Sequence, residues 1–184
     1  KRIDVATYQS ISGAGSHALS GFADSFSGAV SPEQSDALDV VPVIDSMLAS
    51  GATKEEMKMH WESRKIWGDE NLTVQATCVR VPVRVGHAEA VHVETQKEIE
   101  WTQLRQALQN QEGLLWHDQA KLTPREHGAG SKNVHIARVR ADVSDPARLS
   151  LWVVADNMRK GGAYNALQIY TRWAMYEQEL HTVV

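Results

Sequence analysis

Residues 77–94 read TCVRVPVRVGHAEAVHVE, with Arg80 and Arg84 inside one apolar run and His87 directly behind Gly86. A guanidinium can fork onto a carboxylate, and an imidazole exchanges protons near neutral pH, so the segment holds half of what a carboxylate-binding active site needs. A glycine at a junction between strand-like runs lets His87 face a cleft, which makes it the first candidate for acid–base work. A histidine satisfied by hydrogen bonds in a turn is the alternative. Arg80, surrounded by valines, needs a partner or a ligand, and a structural salt bridge would also serve. Arg84, four residues on, shares Arg80's side in an unbroken strand but lies nearer the turn and solvent.

Three further polar residues belong with these. Glu55 and Lys58 fall at i and i+3 on a helix-like run, where they are either a solvated pair or two heads aimed at one ligand. Gln9 ends a strand-like run before the glycine-bearing loop SISGAGS, where it either contacts a ligand or stabilises the turn. No metal site is expected. The eight histidines are scattered, and in HAEAVH the imidazoles of His87 and His92 would face opposite sides of a strand. The single cysteine, Cys78, sits in the apolar run and reads as a buried, inert thiol.

The elements that position these groups follow from local pattern. Residues 3–9 read as a strand, and loose helical spacing runs from about 14 to 29, followed by a surface loop at 31–36. VVPVI at 40–44 is broken by Pro42 and reads as an extended segment or edge strand. Thr53 with Glu56 makes a capping box that opens a helix over 54–67, stopped by Gly68. Residues 73–85 and 88–95 read as two long strands meeting at Gly86 and His87. A helix over 98–111, a mobile loop over 118–132, strands at 134–140 and 149–155, and a helix over 160–180 complete the chain. In that last helix Ala163, Leu167, Tyr170 and Ala174 trace an apolar stripe. Strands outnumber helices in an order too irregular for βαβ repeats, so the expected class is α+β with a mixed or antiparallel sheet.

The 184 residues, 42% hydrophobic and 23% charged, suit one globular domain with one core. A net charge of −4 without a basic patch argues against nucleic acid as a partner. No apolar stretch approaches the roughly 20 residues of a membrane span, and a soluble, cytoplasmic protein is expected. The start at Lys1, directly in a strand-like run, suggests a domain cut from a longer protein or one processed from it.

Taken together and in order, VATYQSISGAG, VVPVIDS, TKEEMKMHWESRKIWGDE, TCVRVPVRVGHAEAVHVET and LWVVADNMRKGGAYNALQI resemble the aspartate-semialdehyde dehydrogenase family, in its catalytic and dimerisation half. The resemblance implies a mixed, largely antiparallel sheet with helices packed on one face, like the C-terminal domain of glyceraldehyde-3-phosphate dehydrogenase. It also implies NADP as cofactor, aspartate semialdehyde, aspartyl phosphate and phosphate as ligands, and a homodimer. The nucleotide-binding domain and the nucleophilic cysteine would lie outside residues 1–184. By the same resemblance His87 is the acid–base residue and Gln9 orients the reacting group. Arg80 binds the substrate α-carboxylate, Glu55 its ammonium and Lys58 the phosphate, while Asn157 contacts the cofactor. The tail beyond Ile169 departs from the family pattern. An N-acetyl-γ-glutamyl-phosphate reductase-like enzyme and a non-catalytic paralogue are the alternatives.

Overall fold

The structure, a computed structural model, describes residues 1–25, 38–118 and 121–182. The loop expected at 31–36 and the end of the first helix lie outside them. Strands β1 (Arg2–Gln9), β2 (Thr73–Arg80), β3 (His87–Glu94), β4 (Leu114–His117), β5 (Val134–Ala141) and β6 (Arg148–Ala155) form one sheet in the order β2-β1-β3-β6-β5-β4. β1 runs parallel to β2 and β4 parallel to β5, and the other three neighbouring pairs are antiparallel. The α+β class with a mixed, largely antiparallel sheet is therefore correct.

Helices α1 (Ser16–Ser25), α2 (Lys54–Trp67), α3 (Trp101–Gln109) and α4 (Tyr164–Thr182) complete the fold. The expected capping box opens α2: Thr53 N–H donates to Glu56 Oε2 at 2.8 Å, and Glu56 N–H to Thr53 Oγ1 at 3.2 Å. Gly68, at φ 61°, closes the helix in the left-handed conformation that glycine reaches without strain. β2 is an edge strand, and α2 satisfies that edge. Glu56 accepts Cys78 N–H at 3.1 Å, Arg64 donates to Leu72 O at 2.8 Å, and His60 Nδ1 lies 3.0 Å from Val74 O. Beneath the helix, Val5, Leu72 and Val74 are buried against Met59, Ala76 and Val91. The opposite face buries Ala88, Leu122, Ala137 and Val154 with Tyr8 and Trp152.

Cys78 is fully buried, and burial raises its thiol pKa against a hydrogen bond from Thr7 that lowers it. An unreactive core thiol follows. Cys78→Ala is expected to cost about 1 kcal/mol of stability, and the native chain should resist alkylation at neutral pH. Rapid labelling of the folded protein would contradict the placement.

Several expectations need correction. The two Val-rich runs lie on either side of β1. β2 stops at Arg80, and residues 81–86 form a strap whose hydrogen bonds go to the loop after β1: Val81 N–H donates to Gln9 O, while Val83 O and Arg84 O accept from Ile11 and Ser12. Pro82, without an N–H, suits this strap better than a ladder. Arg84 consequently leaves Arg80's face and lines a cavity with Phe22, Val85 and Arg125.

Residues 40–44 are extended, with Val41 bridging Arg80. The segment from Lys121 onward is held in place. Leu122 is buried, Trp152 Nε1 donates to its carbonyl at 2.8 Å, and Gly130 N–H reaches Asp156 Oδ2 at 2.6 Å. β4 escaped the sequence reading; His117 at its end lies 2.9 Å from His135 of β5. The third helix is shorter than expected, and an irregular turn at Arg159–Ala163 precedes α4. The apolar stripe of α4 is open, with Leu167 and Tyr170 more than half exposed.

Candidate active site

β1 and β2 end, and β3 begins, at one edge of the sheet. Gln9 and Arg80 are register partners across the parallel pair, and His87 precedes Ala88, the partner of Tyr8. Side chains alternate along a strand, so Gln9, Arg80 and His87 share one face. Helix α2, tied to β2 through Glu56, brings Glu55 alongside. Gln9 Nε2 donates to Glu55 Oε1 at 3.1 Å and lies 3.4 Å from Thr7 Oγ1. Lys58 reaches Glu55 Oε2 at 3.1 Å and Asp45 Oδ2 at 3.3 Å. The structure thus assembles Gln9, Glu55, Lys58, Arg80 and His87 at one edge.

Arg80 makes no ion pair with the described carboxylates. Nη1 donates to Ser10 O at 2.7 Å, which fixes the plane of the guanidinium and leaves its remaining N–H groups to a ligand. Burial lowers its pKa and the Glu55 charge opposes that shift.

Ser10, fully buried, also controls His87. Its backbone N–H lies 3.1 Å from Nδ1, and its hydroxyl approaches the same atom at 3.1 Å. A backbone N–H only donates, so Nδ1 is an acceptor and the proton of the neutral ring sits on Nε2. His87 is therefore set to donate from Nε2. Burial first, and the Arg80 charge second, depress its pKa to about 4.

That shift makes a pH prediction. The unfolded ring, with a pKa near 6.5, takes up its proton before the folded one, so this contribution to stability is present above about pH 6.5 and is lost as pH falls toward about 4. The melting temperature of the chain should fall over that window, and fall less for His87→Asn. Equal falls for both would show that His87 is not neutral in the fold.

Glu55 stays ionised. Burial, the largest single influence, raises its pKa, but Gln9, Lys58 and Arg80 together hold it below the ordinary glutamate value.

Three contributors were missed by sequence reasoning. Ser10 is one. Gly13 is another, since a Cβ there would come within 2.9 Å of Arg80 Nη1 and 3.4 Å of His87 Nε2, so a larger residue would displace the guanidinium from its place. The third is Asp45, the second partner of Lys58. Asn157, which the resemblance gives as a cofactor contact, lies beside the turn that carries His87. Oδ1 accepts Gly86 N–H at 3.0 Å and lies 3.1 Å from the hydroxyls of Ser10 and Ser12.

The chain belongs to the semialdehyde dehydrogenase family: residues 1–160 match the model of its dimerisation domain. It is 43% identical over 178 residues to aspartate-semialdehyde dehydrogenase 2 of Vibrio cholerae, an alignment covering 92% of this chain and 53% of that protein. Aspartate-semialdehyde dehydrogenase of Aquifex aeolicus is 42% identical over 181 residues, with the same two coverages. Among solved structures, aspartate semialdehyde dehydrogenase II from Vibrio cholerae complexed with ASA superposes with a TM-score of 0.86 at 42% identity, covering 92% of this chain and 53% of that one. The enzyme of Candida albicans with NADP shares the fold at a TM-score of 0.56 and 21% identity, over 85% of this chain and 46% of that one. The chain spans about half the length of the curated relatives it matches. No helix among the described residues is long and apolar enough to cross a membrane.

Proposed function

We propose that this chain is the catalytic and dimerisation half of an NADP-dependent aspartate-semialdehyde dehydrogenase, which interconverts aspartyl β-phosphate and aspartate semialdehyde. One observation carries the reading: an arginine with donors to spare, an ionised glutamate, a lysine and a neutral histidine meet within one strand-end site. Each charge matches one part of that substrate. Arg80 takes the α-carboxylate in a two-point contact. Glu55 takes the ammonium, with Gln9 holding its other oxygen and ready to orient the reacting group. Lys58 takes the phosphate.

The attacking thiolate is supplied by the part of the enzyme outside this chain, because Cys78 is buried and uncharged. Addition of that thiolate to the aldehyde gives a thiohemiacetal, which becomes a thioester once its hydride has been given up, and phosphate then displaces the thiolate as the acyl phosphate forms. NADP, when bound, supplies or accepts the hydride. Asn157, the proposed cofactor contact, also braces the His87 turn through Gly86, Ser10 and Ser12. From Nε2 the neutral His87 ring gives a hydrogen bond to the oxygen that gains charge as hydride arrives; only once it has taken up the thiol proton can it pass a proton to that oxygen. Accepting the thiol proton at Nε2 requires its own proton to move to Nδ1, which breaks the bond from Ser10 N–H.

An acylated amine carries no charge to pair with Glu55, which argues against the N-acetyl-γ-glutamyl substrate. The dimerisation-domain match supports a homodimer. The test is phosphate-dependent NADP reduction with aspartate semialdehyde. The complete enzyme should turn over and the isolated 184-residue chain should not. A complete enzyme that ignores aspartate semialdehyde, or an isolated chain whose rate tracks its concentration, would overturn the proposal.

A further inference from the structure

Lys58 is held by two carboxylates, and only one of them has a substrate role. We infer that Asp45 is a positioning residue that aims the Lys58 ammonium at the phosphate while Glu55 is occupied by the substrate ammonium. This inference rests on the phosphate role of Lys58 proposed above. Asp45 has φ 67°, a left-handed conformation that side chains other than glycine, asparagine and aspartate rarely adopt. Both of its oxygens are committed: Oδ1 accepts Ser46 N–H at 2.7 Å, and Oδ2 faces Lys58 Nζ at 3.3 Å. The turn is anchored to the start of α2, because Ser46 O accepts Lys54 N–H at 2.8 Å. The carboxylate is therefore fixed relative to the helix that carries Lys58.

An ammonium has three N–H groups in tetrahedral array. Two are directed at Asp45 and Glu55, which fixes the direction of the third, and that third group has no acceptor among the described residues. The Lys58 side chain is 41% exposed, so an anion can reach it. Were Glu55 its only partner, arrival of the substrate ammonium would compete for that carboxylate and release the lysine just as phosphate must bind. Asp45 lies outside that competition. It keeps the lysine in place when Glu55 turns to the substrate.

Substitutions in the complete enzyme separate charge from backbone. Asparagine tolerates the left-handed turn and can still accept Ser46 N–H, but presents no charge to Lys58; glycine relieves the turn and removes the side chain. Asp45→Asn and Asp45→Gly should each raise the KM for inorganic phosphate by about 3- to 10-fold, the effect of freeing one long side chain. The KM for aspartate semialdehyde should change by less than about twofold. Asp45→Ala should show the same phosphate effect and a lower melting temperature as well, because alanine is strained at this φ. Wild-type phosphate KM in the Asn and Gly variants, with only Ala destabilised, would make Asp45 a turn residue and overturn the inference. Lys58→Met is the control for the underlying reading: it should raise the phosphate KM more than either variant does. If it does not, the phosphate role of Lys58 falls and the inference with it; if it does while Asp45→Asn is silent, only the inference falls.

Discussion

Replacing His87 by asparagine in the complete enzyme should lower kcat by about 10²–10⁴, the usual worth of a positioned acid–base group, while substrate binding and the dimer persist. The reason lies in how the ring is held. Ser10 donates to Nδ1 through its backbone N–H, which leaves Nε2 as the donor, and the pKa near 4 keeps the ring neutral at working pH. Asparagine can accept the same N–H but cannot exchange a proton. Single-turnover kinetics would localise the loss to the chemical step. If the variant instead melts earlier but turns over near normally in the folded fraction, His87 only braces the start of β3 and leaves the mechanism.

Arg80→Lys should be nearly as damaging through a different parameter. Nη1 is already committed to Ser10 O, and the planar fork keeps further N–H groups in the same plane for a carboxylate. An ammonium on a flexible stem cannot hold both. A loss on the order of 2–5 kcal/mol is expected in kcat/KM for the complete enzyme, the cost of truncating one side of a buried charged contact. KM should rise and kcat fall, with the circular dichroism spectrum unchanged. Unaltered kinetics would assign Arg80 to structure alone.

The charged side chains of the site were legible in the sequence because each broke a local pattern. An arginine among valines asks for a ligand, and Glu55 and Lys58 follow a capping box whose partners are three residues apart and fix the helix phase. The residues that finish the site broke no pattern. Ser10 meets His87 across 77 positions of sequence, and nothing in a small polar loop announces that its backbone sets a tautomer. In the sequence Gly13 is one glycine of a small-residue loop, and only the fold shows it lying against a guanidinium and an imidazole. Asp45 became visible only with its backbone angle.

The fold shows the same division. Val-rich periodicity ran on past Arg80 to Val85, but a strap bonded to a loop and a strand bonded to a sheet share that composition; Pro82 marked the difference only weakly. Pairing was a separate question from strand content. Which run lay beside which depended on β1 entering between β2 and β3, a long-range fact with no local signature. Four residues of β4 are too few for a period to emerge.

The most direct test of the account is a crystal structure of the complete enzyme with aspartate semialdehyde bound. The predicted arrangement has the α-carboxylate in two-point contact with the Arg80 guanidinium, the ammonium within hydrogen-bond distance of Glu55, and the aldehyde oxygen facing His87 Nε2. A substrate whose carboxylate lies elsewhere, with Arg80 still bonded only to Ser10 O, would contradict it.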